Sequence, residues 1–143
     1  MTKRLILGSL EQVKLPQFEA EVLAKVDTGA FSGALHCSDI KVERHNRRAV
    51  LSFVPLETGR QVKIEDFREI IVRSAHGHEQ VRYLIPIELE VQGQTYNTEV
   101  GLSDRTAMKR DMLLGRRFLL ENEAIVDVSL TKDIDDEAER IDL

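Results

Sequence analysis

The sequence predicts an all-β domain, a barrel or sandwich of short strands with one short helix. Two observations carry that expectation. Val81, Tyr83, Ile85, Ile87, Leu89 and Val91 alternate with Arg82, Leu84, Pro86, Glu88, Glu90 and Gln92, which is the period of a half-buried strand. Apolar runs elsewhere are equally short and separated by turn residues, with no βαβ pattern between them.

Taken in chain order, runs 4–7, 21–26, 35–42, 49–54 and 70–73 read as strands. After the long run 81–91, Gln92-Gly93-Gln94 breaks the pattern, and Tyr96, Thr98, Val100 and Leu102 resume it, so the two runs predict a hairpin. Residues 106–110 are a candidate for one helical turn. Met112-Leu113-Leu114 is an apolar strand ending in Gly115, the helix follows over Arg116–Glu121 with Phe118, Leu119 and Leu120, and 124–128 is a last strand. From residue 131 the composition changes: Asp133, Asp135, Asp136, Glu137, Glu139 and Asp142 outnumber Lys132 and Arg140. The expected organisation is one domain over 1–130 and an acidic, frayed tail over 131–143.

A chain of 143 residues suits one domain and can bury roughly 70% of its unfolded surface. Its 20 basic residues against 25 acidic ones give a net charge of -5, which argues against phosphate-backbone binding and so against nucleic acid as a direct partner. No apolar run approaches a membrane span or a signal-peptide core, so no membrane partner is expected either. Cys37 is the single cysteine, which precludes an intrachain disulfide and fits a reducing cytoplasm.

The most conspicuous polar group is Asp27. It ends the apolar run before Thr28, Gly29 and Ala30, where glycine lets the backbone turn so that amides approach the carboxylate and the threonine can tie the loop to neighbouring backbone. By themselves these residues leave open a loop-capping Asx-turn and a catalytic acid. Met112 through Arg116 offers a strand that can pack beside the acid loop and fix it. Ser32 is expected to close the loop by hydrogen bonding rather than to act as a nucleophile, because it stands one place late for a G-x-S-x-G elbow. The same stretch lacks the Lys-Ser/Thr of a phosphate-binding loop. Cys37 beside His36 fails as a thiol–imidazole pair, since adjacent strand residues face opposite ways; a buried structural cysteine is expected.

Together, Asp27-Thr28-Gly29-Ala30 and the later Leu113-Leu114-Gly115-Arg116 resemble the retropepsin-like aspartic proteases, in which such segments build half of an active site. The likeness extends to Ile6-Leu7-Gly8, Val13 through Pro16, Ala24 through Ala30 with Ser32, Leu35-His36, Ser74 with Gly77, Arg82-Tyr83, Asp104-Arg105 with Met108, and Leu113 through Arg116. This ordered set is similar to the RimB-like bacterial family, labelled as zinc proteases and associated with RimK-type glutamate ligases, over about residues 5–128. The resemblance implies a retropepsin-like closed β-barrel half, with Asp27, Thr28 and Gly29 catalytic. It also implies a homodimer, because one loop supplies only one carboxylate of a proton-sharing pair. A RimK-type ligase extends the tail of a ribosomal protein with glutamate, and the implied reaction trims that tail.

Substrate contacts are expected from Ala30, Ser32, Arg82, Arg105, Arg116 and Gly77. Gly77 lies in the segment 74–80, expected to fold over a cleft, with Glu57-Thr58-Gly59-Arg60 as the rival cover. Arg105, Lys109, Arg110, Arg116 and Arg117 concentrate positive charge near the Leu-Leu-Gly segment and could hold acidic side chains. No cofactor is expected. A zinc site from His36, His76, His78, Cys37 or Asp27 is the weaker alternative, since neither H-E-x-x-H nor C-x-x-C occurs. The reading is therefore an aspartic peptidase acting on glutamate-rich chains. The alternatives are a non-catalytic acidic-peptide module or ligase regulator, separable by the appearance of new amino termini, and a zinc hydrolase, separable by metal analysis.

Overall fold

The computed structural model describes residues 4–73, 75–104 and 110–131. Its strands are β1 (Ile6–Leu7), β2 (Leu10–Leu15), β3 (Ala20–Val26), β4 (Gly33–His45), β5 (Arg48–Pro55), β6 (Val62–Ile64), β7 (Arg68–Arg73), β8 (Glu79–Val91), β9 (Gln94–Ser103), β10 (Met112–Leu114) and β11 (Ile125–Val126), with one helix, α1 (Arg116–Glu121). Pairing runs β3–β2–β8–β9–β4–β10 and returns from β10 to β3, so six strands close into a ring. Closure removes the free edges that an open sheet of this size would present. Outside the ring, β5 and β6 extend from β4, β7 pairs with β8, and β1 and β11 form a separate parallel pair. The protein is all-β, as expected.

Alternation fills the interior. Val22, Ala24 and Val26, Leu35 and Cys37, Ile85 through Val91 at every second position, Val100, Leu102, Met112 and Leu114 are buried in one cluster. Phe18 meets Phe53 edge-on at 5.9 Å, and Tyr96 meets Phe118 at 5.6 Å, which docks α1 on the ring.

Four elements differ from the sequence expectation. β2 was not expected, because only Val13 and Leu15 are buried, with Gln12 and Lys14 facing solvent, too few apolar positions for a strand period. A 3₁₀ turn at Pro16–Phe18 and the short β6 also went unread; Pro16 starts that turn, where its fixed φ fits. β4 is longer than predicted and carries a bulge between Ser38 and Lys41, where Asp39 takes φ 52°. The bulge shifts the inward set from odd positions, Leu35 and Cys37, to even ones, Ile40 and Val42. Residues 106–109, most of the candidate turn, lie outside the described residues, as does the tail from 132.

Candidate active site

The chain enters the site along β3. β10 lies between β3 and β4, parallel to the first with Leu114 opposite Val26, and antiparallel to the second with Leu113 opposite Ala34. The connection 27–32 must therefore pass over the end of β10, and it can do so only if backbones approach closely. Gly115 and Gly33 allow this. A Cβ on Gly115 would stand 2.5 Å from the Phe31 carbonyl oxygen and 2.9 Å from that of Ala30, and one on Gly33 would collide with the Leu113 carbonyl oxygen.

Hydrogen bonds then fix the loop. The Asp27 amide donates to the Leu114 carbonyl at 2.9 Å. Arg116 and Arg117, the first residues of α1, donate their amides to the carbonyls of Ala30 and Phe31 at 2.8 Å each. A helix start leaves such N–H groups without intrahelical partners, so the loop gains acceptors and the helix gains a cap at once. The Gly29 amide donates to Asp27 Oδ1 at 2.9 Å, leaving Oδ2 of a half-buried carboxylate outside this bond. Arg116 Nη1 donates to the Thr28 carbonyl at 3.0 Å, and the guanidinium carbons of Arg116 and Arg117 lie 5.8 and 5.2 Å from the centre of the Phe31 ring.

The structure thus joins Asp27, Thr28, Gly29, Ala30 and Arg116 in one unit. Two expectations change. Ser32 does not close the loop: its hydroxyl makes no hydrogen bond among the described residues, and backbone amides do that work. Arg117 is not free for a ligand, because its Nη1 donates to Glu99 at 2.7 Å. Phe31, Gly33 and Glu99 belong to the unit and were not singled out. Small residues at two strand ends were the available signal for the close approach; nothing in one sequence marks Glu99.

Arg82 and Gly77 lie on another element. β7 and β8 form an antiparallel hairpin with Gly77 at its turn, where φ is +81°, a conformation glycine adopts without strain. Ile71 faces Val81 across it, and both are exposed. At its root a cleft of about 160 Å³ is lined by Ile40, Val81, Arg82, Tyr83, Leu102 and Ser103. The rival cover is pinned down: the Thr58 hydroxyl donates to the Pro55 carbonyl at 2.9 Å, and Arg60 Nη2 to the Phe18 carbonyl at 2.8 Å. Ser74 and Arg105 lie outside the described residues.

Cys37 is buried in the core, and desolvation pushes its thiol up to about 12, offset in part by a backbone hydrogen bond from Leu56. A thiol so held is not a nucleophile at neutral pH. His36 faces away from it, half-buried, with Nε2 3.9 Å from Glu57 Oε1. Among the described residues no three His, Cys, Asp or Glu side chains gather as a metal site, and no helix is long and apolar enough to cross a membrane.

A closed β-ring with an Asp-Thr-Gly loop seated on a Leu-Leu-Gly strand defines the retropepsin-like class. The chain belongs to the RimB-like family, described as the retropepsin-like aspartic endopeptidase RimB, whose pattern matches residues 6–137. It is 32% identical over 127 residues to a probable alpha-L-glutamate ligase of Parasynechococcus marenigrum and 29% identical over 135 residues to one of Shewanella pealeana. Those matches take in 84% and 88% of this chain but only 27% and 29% of the relatives, so the chain spans under a third of their length. Among solved structures, a Legionella pneumophila protein of unknown function (DUF785) superposes with TM-score 0.73 at 25% identity, covering 92% of this chain and 98% of that one.

Proposed function

We propose that this chain is an aspartic peptidase that works as a homodimer in the bacterial cytoplasm and hydrolyses glutamate-rich peptide tails, such as those a RimK-type ligase adds to a ribosomal protein. One observation carries the reading: at the rim of the ring the Asp27 backbone is held by the end of β10 and one carboxylate oxygen by the Gly29 amide, which orients the half-buried acid. Two such loops across a twofold axis bring two Asp27 carboxylates together. One takes a proton from the attacking water while the other gives one to the carbonyl oxygen, and the titration belongs to the pair. The β7–β8 hairpin covers the bound chain, and Arg116 and Arg82 supply charge for acidic side chains, with Ala30, Ser32, Gly77 and Arg105 as the further contacts. The cytoplasmic placement rests on the single cysteine.

Cleavage of an oligoglutamate peptide and of an oligoglutamine peptide of equal length, in wild type and Asp27→Asn, tests this. The amide of asparagine keeps the shape and cannot exchange the proton, so the variant folds and does not cleave. Each well-made arginine–carboxylate contact contributes about 1.5–3 kcal/mol, less where exposed, so the glutamate peptide is cut at least about tenfold faster. Wild-type turnover in Asp27→Asn would end the aspartic mechanism, and equal rates on both peptides would end the acidic substrate while leaving the peptidase standing. A second reading is favoured by one finding: the relatives carry this domain within longer chains named as glutamate ligases. On it the domain binds the acidic product for a ligase without cutting, and the glutamate peptide is retained with no new amino terminus.

A further inference from the structure

The face of the ring turned away from the core carries a run of charged contacts that the peptidase reading leaves unused. On β9, Val100 and Leu102 point inward, so Glu99 and Gly101 point outward. Pro86 on β8 stands opposite Glu99, Leu84 stands opposite Gly101, and Arg68 on β7 stands opposite Leu84. Arg68 is therefore two strands away from Glu99. Its side chain crosses β8 to reach it, Nε donating to Oε2 at 2.8 Å and Nη2 to Oε1. From the other side Arg117 Nη1 donates to the same Oε1 at 2.7 Å. Arg117 in turn gives its amide to the Phe31 carbonyl and lies over the Phe31 ring.

This cluster differs from the other ion pairs on β7 and β8. Arg44–Glu69 and Arg73–Glu79 are single contacts between well-exposed groups, of the kind worth little. Glu99 is bidentate to one arginine, shared with a second, and only 19% exposed. The Arg117 head group is also enclosed: its Nε is buried without a partner among the described residues, and its side-chain hydrogen bond is the one to Glu99. Taking the charge from Glu99 leaves two guanidinium groups facing each other across the space it neutralised, and they move apart.

We propose that Glu99 is a positioning residue that ties the base of the β7–β8 hairpin to the loop holding Asp27. The hairpin and the catalytic loop are then set by one carboxylate, with Arg68 as one arm and Arg117 as the other. This rests on the peptidase reading for its purpose, but the mechanical link is measurable without hydrolysis.

Amide hydrogen exchange on the full chain provides that measurement. The side-chain hydrogen bonds of Arg68 go to Glu99 and none to α1 or the Asp27 loop among the described residues, so Arg68→Met reports the link itself. It is expected to speed exchange of the Arg116, Arg117 and Gly29 amides by about threefold or more, a size typical of coupling between sites. Glu99→Gln gives the same pattern more strongly, and Arg68→Lys, which keeps the charge, restores part of the protection. Arg44→Met breaks a different ion pair to β7, the one with Glu69, and serves as control, with changes confined to its own strands. The proposal is overturned if Arg68→Met leaves the α1 and loop amides at wild-type rates. It is equally overturned if Glu99→Gln raises exchange by one common factor throughout the chain, which is global destabilisation. Failure of Asp27→Asn to abolish cleavage would sink the peptidase reading and leave the link intact.

Discussion

At the residue scale, the site depends on absences as much as on side chains. Gly115 has ordinary φ of -94°, so its role is space and not conformation: any Cβ meets the Ala30 and Phe31 carbonyls that receive the first amides of α1. Gly115→Ala is expected to cost about 1–3 kcal/mol, the usual range for overpacking, and to shift the Asp27 loop with it. Thermal unfolding checks the first part, and the chemical shift of the Gly29 amide the second; an unchanged midpoint would contradict it. Glu99 gives a pH signature. Hydrogen bonds from Arg68, with the charges of Arg68 and Arg117, hold its carboxyl below the ordinary 4.5 against a smaller opposing effect of burial. A depressed folded-state value means stabilisation present above about 4.5 and lost as pH falls through the folded value. The difference in melting temperature between wild type and Glu99→Gln is therefore expected to be level near neutrality and to shrink below about pH 4.5. Asp27 and its neighbours were legible because an acid after an apolar strand is rare and the motif is local. Glu99 was not, since an exposed-looking Glu in an alternating strand acquires meaning only from residues distant in sequence.

At the element scale, strands with strict alternation were legible and those with mixed composition were not. Run 81–91 reads as a strand because one face is wholly apolar, and the structure extends it only to Glu79. β2 hides because its two buried residues sit among Glu11, Gln12 and Lys14, and its place is decided by pairing with β3 along its length. The bulge in β4 was written in the sequence as a change of parity, from Leu35 and Cys37 to Ile40 and Val42, and was read as one uninterrupted run. The β7–β8 hairpin presents Ile71 and Val81 to solvent although both are large and apolar, which is costly unless something covers them in use. Replacing both with serine removes exposed surface alone, so stability is expected to stay within about 0.5 kcal/mol of wild type. If the hairpin closes over peptide, KM rises several-fold while kcat changes less. Unchanged kinetics would move the cover elsewhere in the chain.

At the scale of the whole molecule, one chain supplies one Asp-Thr-Gly loop, and among the described residues several large apolar side chains are exposed around β1 and β11. Ile6 on β1 stands opposite Ile125 on β11, both exposed, and Leu120 on α1 with Val128 and Leu130 after β11 are more exposed still. The last described residue is anchored there: Thr131 Oγ1 donates to the Leu10 carbonyl at 2.8 Å, and its carbonyl accepts the Ser9 amide at 3.2 Å. The Ser9 carbonyl in turn accepts the amide of Val26, next to Asp27, so this apolar end and the Asp27 loop share a support. A second copy covering the exposed residues would buy stability and complete the pair of carboxylates together. Activity then depends on the concentration of dimer and not of chains. On dilution, specific activity against the glutamate peptide is expected to fall once the chain passes below its dimerisation constant, and replacing Ile6 and Ile125 by lysine raises the concentration at which this happens. Sedimentation and assay over the same concentration range decide it. A monomer by sedimentation that keeps full specific activity would mean that one Asp27 suffices, and with it the two-carboxylate mechanism would fall.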